Sequence, residues 1–122
     1  MTPTVRVLIV DDQEPFRSAA RLVVEMTEGF EVAGEAADGV EAVRMVDEVA
    51  PDLVLMDIKM PGMGGLEATR RIVAAGRGTR VVVLSTYDEY SDQARDAGAV
   101  AFVSKSDLGS DQIIAAWTAE DR

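Results

Sequence analysis

Val5-Arg6-Val7-Leu8-Ile9-Val10-Asp11-Asp12 joins an aliphatic run directly to two carboxylates. A short, nearly continuous run of aliphatic and β-branched residues reads as a strand covered on both faces, which is what a parallel sheet requires. Two carboxylates follow at once, and they are too costly to bury unpaired, so the strand stops there and the chain turns. The same grammar recurs downstream. Leu53–Met56 runs into Asp57, Val81–Ser85 into Thr86, and Val100–Val103 into Ser104-Lys105-Ser106. Glu31–Ala36 is less apolar and alternates weakly, which suits an edge strand.

The intervening segments carry helical spacing. Phe16, Ala20, Val23 and Val24 form one apolar stripe; Val40, Val43, Met45 and Val46 form a second; Leu66, Ile72 and Val73 form a third. Ile113, Ala116 and Trp117 mark a short last helix. Tyr87–Ala97 is the weakest of the five, since only Tyr90, Ala94 and Ala97 line an inner face. Pro15 suits a first helical turn, Gly29 and Gly98 suit helix ends, and Gly76 with Gly78 closes the third helix. Five strands alternating with five helices predict an α/β domain, a parallel sheet covered on both faces through right-handed crossovers.

Length and composition bound the function. The 122 residues fit one domain, expected to occupy residues 1–122. The absence of Cys excludes disulfide scaffolds, zinc-thiolate sites and thiol nucleophiles. The absence of His excludes His-based triads, His-ligated metals and phosphohistidine on this chain. A net charge of −10 opposes direct contact with nucleic acid or an anionic membrane. With no signal peptide or spanning helix in view, the expectation is a cytoplasmic globule.

In open parallel sheets, function gathers beyond the carboxyl ends of the strands. Those ends carry Asp11, Asp12, Asp57, Ser85 and Lys105. Taken singly, each has an ordinary reading: Asp11-Asp12 as a helix cap, Lys105 as an exposed lysine. Taken together, they place three carboxylates, a hydroxyl and an ammonium at one rim. Three aspartates resist joint ionisation unless a cation intervenes, and oxygen ligands without His or Cys favour Mg²⁺. An Asp carboxylate beside such an ion is a competent nucleophile towards an activated phosphoryl group.

These residues resemble the receiver domain of bacterial two-component response regulators, over about Val5 to Trp117. The stretches Gly34-Glu35-Ala36-Ala37-Asp38-Gly39, Leu84-Ser85-Thr86-Tyr87-Asp88 and Gly98-Ala99-Val100-Ala101-Phe102 are similar to the NarL/FixJ-like (LuxR-type) subfamily in particular. The resemblance implies a flavodoxin-like (βα)5 fold, a three-layer α/β/α sandwich with strand order 2-1-3-4-5. It implies that a partner sensor histidine kinase donates a phosphoryl group to Asp57. It implies that Asp12, Asp57 and the Lys59 backbone carbonyl hold Mg²⁺, with Asp11 acting mainly through metal-bound water. Lys105 then pairs with phosphoryl oxygens, while Ser85 and Phe102 form the switch pair. Output is expected through the chain's own C-terminal DNA-binding domain or another output protein, with a phosphorylation-dependent homodimer.

Three departures stand out. Ser106 replaces the Pro that often follows the family's lysine, and a cis Lys105–Ser106 bond would cost about 2.5–4 kcal/mol. Phe102 lacks the hydroxyl of the Tyr often found there. Lys59 and Tyr87 occupy positions that tune phosphoryl lifetime in the family. Alternative readings are a stand-alone receiver, an unphosphorylated pseudo-receiver, an aspartyl-phosphate phosphatase or a flavodoxin-like cofactor module. The phosphatase reading lacks an Asp-x-Asp after the first strand and room for a cap. The flavodoxin reading meets Asp11-Asp12-Gln13-Glu14 where a phosphate loop should be.

Overall fold

The computed structural model describes residues 3–119, so the expected 1–122 domain extends slightly outside the described span at both ends. Elements run β1 (Val5–Val10), α1 (Glu14–Glu25), β2 (Phe30–Ala36), α2 (Gly39–Val49), β3 (Leu53–Asp57) and α3 (Gly65–Ala74). They continue with β4 (Arg80–Ser85), α4 (Ser91–Asp96), β5 (Ala101–Ser104) and α5 (Ser110–Thr118). The strands form one parallel sheet in the order β2-β1-β3-β4-β5, so β2 is an edge strand as its composition predicts.

The period-two pleat sorts side chains into two apolar layers. Leu8, Val10, Val54, Met56, Val81 and Val83 pack on one side with Ala42, Val46, Ala68, Ile72 and Ala94 of α2, α3 and α4. Val7, Ile9, Leu53, Leu55, Val82 and Leu84 pack on the other with Ala20, Val24, Ile113 and Ala116 of α1 and α5. The result is the α/β/α sandwich.

Local chemistry explains the boundaries. Asp38 caps α2 by accepting the Glu41 N–H at 2.8 Å, while Glu41 Oε1 reaches past the cap to accept the Ala37 N–H at 2.8 Å. Ala50 leaves α2 in the left-handed region at φ 47°, just ahead of Pro51. Neither Asp11 nor Asp12 caps α1: the N-cap is Gln13, which makes no side-chain capping bond, and Pro15 sits in the first turn.

Several sequence expectations are corrected. The expected helix Tyr87–Ala97 is a 3-10 turn at Asp88–Tyr90 followed by the six-residue α4, because Ala94 is the one buried side chain within α4. β5 begins at Ala101 and ends at Ser104, one residue later than expected, since its register is fixed by Val82 opposite Ala101 and Ser85 opposite Ser104. β3 runs one residue further, through Asp57, which pairs with Leu84. Val40 and Val73, assigned to inner stripes, are exposed. Ala42 with Val46 and Ala68 with Ile72 take the inward positions instead. No peptide bond among the described residues is cis, so Lys105–Ser106 is trans. No helix among them is long and apolar enough to cross a membrane.

Candidate functional site

The pleat of β3, and that of β1 and β5 carried one residue beyond their ends, positions the polar residues. Asp11 follows Ile9 by two, Asp57 follows Leu55 by two, and Lys105 follows Val103 by two. All three therefore point to the side of the sheet occupied by α1 and α5. Because β1 and β3 are adjacent, with Val10 opposite Met56, Asp11 and Asp57 end neighbouring strands at one level.

Asp11 is completely buried. Its Oδ1 accepts the Gln13 N–H at 2.8 Å and its Oδ2 accepts the Lys105 ammonium at 2.6 Å. Asp57 is 6% exposed; its Oδ1 accepts the Ile58 N–H at 2.9 Å and lies 3.2 Å from Lys105 Nζ. Lys105 thus bridges two carboxylates, with Nζ also 4.5 Å from the centre of the Phe16 ring. Asp12 completes the cluster: one carboxylate oxygen from each of Asp11, Asp12 and Asp57 lies within 4.8 Å of the others.

A cavity of about 180 Å³ opens at this point, lined by Asp12, Asp57, Lys59, Ser85 and Lys105 together with Gln13, Thr86 and Tyr87. Asp11 does not line it and stands behind. The Ser85 hydroxyl oxygen accepts the Tyr87 N–H at 3.1 Å. Lys59 is on the wall, with its ammonium turned to the rings of Tyr87 and Tyr90 at 5.3 and 5.5 Å. Phe102 is not in the cavity; it packs on the apolar layer shared with Val83 and Tyr90, on the α4 side.

The β3–α3 connection is drawn tight against the cluster. Gly65 N–H donates to the Ile58 carbonyl at 2.8 Å, and a Cβ at Gly65 would fall 1.7 Å from the Asp57 carbonyl oxygen. Only glycine permits that approach.

The electrostatics follow from the geometry. Burial raises the Asp57 carboxyl above the ordinary carboxylate range, the Asp11 charge raises it further, and Lys105 offsets part of the rise. Burial pulls Lys105 down, but its bond to Asp11 and the charges of Asp57 and Asp11 outweigh that, leaving it raised and firmly protonated. Three carboxylates against one ammonium leave the cluster negative. All its donors are hard oxygens, and their 4.8 Å spread is near the span of about 4.2 Å across a Mg²⁺ octahedron. The residues present fit that ion.

Sequence reasoning brought Asp11, Asp12, Asp57, Ser85, Lys59 and Lys105 to one rim, and all six are there. Thr86, at the end of the fourth strand, and Tyr87, two residues past Ser85, join the lining as their positions implied, whereas the part played by Gln13 was missed. Sequence reasoning also missed Phe16 beneath Lys105 and Arg17, whose Nη1 donates to the Asp11 carbonyl at 2.7 Å. Phe16 read as core because it keeps the helical stripe, and nothing in the local pattern shows a polar residue of α1 folding back on the loop before it.

Comparison with known proteins agrees with this architecture. The family model for the response regulator receiver domain matches residues 7–117. The response regulator UvrY of Escherichia coli is 41% identical over 103 residues, covering 83% of this chain and 47% of UvrY. The chain spans about half the length of the curated relatives it matches. A LuxR-family two-component response regulator from Aurantimonas is 36% identical with a TM-score of 0.84, over 92% of this chain and 81% of that one. The signal receiver domain of the response regulator NarL from Mycobacterium tuberculosis is 29% identical with a TM-score of 0.89, over 98% of this chain and 100% of that one. The likeness runs from the middle of β1 into the last turn of α5, so it takes in the carboxyl end of every strand and each residue of the acidic rim, and this chain belongs to the response regulator receiver domain family.

Proposed function

We propose that this chain accepts one phosphoryl group on Asp57 from the phosphohistidine of a partner sensor histidine kinase. The observation that carries the reading is the Lys105 ammonium held 2.6 Å from Asp11 and 3.2 Å from Asp57 at the mouth of an acidic cavity. These 122 residues contain no His, so the donor imidazole lies outside them. In the transfer, an Asp57 carboxylate oxygen forms a bond to phosphorus as the P–N bond breaks, and that bond's electron pair returns to the imidazole. The product is an acyl phosphate on Asp57.

Asp12, Asp57 and the Lys59 backbone carbonyl are the groups that would hold Mg²⁺. Asp11, with both carboxylate oxygens already engaged by Gln13 and Lys105, would act through water. The ion supplies neutralisation of charge on the attacking carboxylate and the phosphoryl oxygens. Lys105 is placed to pair with a phosphoryl oxygen once Asp57 is modified. Ser85 ends β4 on the side of the sheet that carries Val83 and Phe102. Drawing its hydroxyl to the phosphoryl group breaks the bond to Tyr87 N–H, loosens the turn into α4, and opens space towards which Phe102 moves. That is a local charge event biasing a weakly held element. The signal then passes to a C-terminal DNA-binding domain or another output protein.

Incubation with Mg²⁺ and a small acyl-phosphate donor, followed by mapping of the added mass, tests this. One phosphoryl group per chain on Asp57 is expected, absent in Asp57→Asn and absent on chelation. Sustained turnover of a phosphomonoester, or modification that survives Asp57→Asn, overturns it.

A further inference from the structure

Arg17 lies outside the cavity yet connects to it through the main chain. Its Nη1 donates to the Asp11 carbonyl at 2.7 Å, and its Nε donates to Glu35 Oε1 at 3.1 Å. Glu35 is on β2, opposite Ile9 of β1, and its other carboxylate oxygen is held by Arg21, Nε at 2.8 Å. Asp11 N–H is tied to β2 as well, donating to the Ala36 carbonyl at 3.0 Å. The peptide groups on both sides of the Asp11 Cα are therefore anchored to one edge strand, directly on one side and through the Arg17–Glu35 pair on the other. Arg17 and Glu35 are mostly buried, their side chains 18% and 26% exposed, so the pair is shielded more than a surface ion pair.

We propose that Arg17, locked by Glu35, is a positioning residue for cation binding: it sets the orientation of the Asp11-Asp12 loop and hence the separation of the carboxylates. This rests on the Mg²⁺-dependent reading given above. Charge and geometry act on the site with opposite signs. A cation beside an acidic cluster opposes divalent binding by Coulomb repulsion, so deleting its charge alone should tighten the site. If Arg17 acts through geometry, deletion must weaken it, because the carboxylates lose their spacing and the Asp11 carbonyl loses its donor. Partners that orient metal ligands typically matter by 10–100-fold in affinity, so the positioning effect prevails over the charge effect.

Isothermal titration of the intact chain with Mg²⁺ is the test. Arg17→Met is expected to raise Kd about tenfold or more. Glu35→Gln shifts it in the same direction, and the double variant is no worse than Arg17→Met alone, as members of one strut should behave. Arg21→Met, which gives up a Glu35 ion pair but no bond to Asp11, shifts Kd less than about threefold. Unchanged or tighter binding in Arg17→Met, or an equal loss in Arg21→Met, overturns the proposal. A metal-free measurement keeps it separable from the phosphoryl reading. The Gln13 amide, held by Asp11 Oδ1, should exchange its proton faster in Arg17→Met and at the wild-type rate in Arg21→Met. Should the wild-type chain show no Mg²⁺ affinity, the phosphoryl reading fails while Gln13 exchange still decides the strut; an unaltered rate in Arg17→Met sinks it.

Discussion

At the scale of single residues, Asp57 carries a cost that the rest of the fold absorbs. Its carboxyl is raised by burial and by Asp11, so the native state holds its proton more tightly than the unfolded chain does. The sign follows: the native-state advantage is complete below the ordinary carboxylate pKa and is lost as pH rises through the raised native value. At neutral pH without divalent cations, Asp57→Asn should melt at a higher temperature than wild type. Added Mg²⁺ should raise the wild-type midpoint and move the Asn variant much less, because binding stabilises only the state that holds the ligand. Thermal melts with and without Mg²⁺ check both; a lower midpoint for Asp57→Asn refutes the account. Gly65 makes the complementary point. With the Asp57 carbonyl 1.7 Å from any Cβ there, Gly65→Ala must move backbone, costing about 3 kcal/mol in denaturant unfolding and weakening Mg²⁺ binding as well.

Among the helices, α4 is the one whose packing is thinnest. Within its six residues only Ala94 is buried, where α2 and α3 bury several each, and small apolar area means a low local opening free energy. Hydrogen exchange should therefore show the amides of residues 91–96 exchanging before those of α2 and α3, and phosphorylation should alter their rates. Protection equal to that of α2 would count against α4 as the mobile relay. The tie between β2 and α1 responds to acid instead. The bond from Arg21, aided by Arg17, lowers the Glu35 carboxyl below its ordinary value. Its stabilising contribution is present above the ordinary carboxylate pKa and fades as pH falls through the lowered one. Glu35→Gln should flatten the acid limb of the stability profile, leaving the neutral region nearly level by comparison.

For the molecule as a whole, stability resides in the two layers clamped on the sheet. Leu55, central and 1% exposed, should cost about 2–5 kcal/mol as Leu55→Ala, whereas Leu22→Ala at an exposed position should change little. Association belongs to this scale too. Ile113 is buried but the adjacent Ile114 is 44% exposed on the short α5, beside a chain whose net charge of −10 grows more negative on phosphorylation. Phosphorylation is expected to alter self-association through α5 or its neighbours, and sedimentation giving one unchanged monomer with and without a phosphoryl mimic would refute it.

From the residues in order came the strand-and-helix alternation and the polar strand ends, which follow from local apolar runs and from the cost of burying charge. Val5–Val10 had to be a covered strand, Asp11 had to end it, and the repetition of that pattern implied a parallel sheet with its polar residues at one rim. The tertiary structure decided what depends on register and on approach between distant segments. Lys105 meets Asp11 across 94 residues, and Arg17 reaches back onto the Asp11 carbonyl while gripping Glu35. Val40 faces solvent although its spacing suited the core, and the Tyr87–Ala97 helix broke in two. A pattern of residues states which groups prefer to leave water; only the assembled sheet states which of them arrive at the same place.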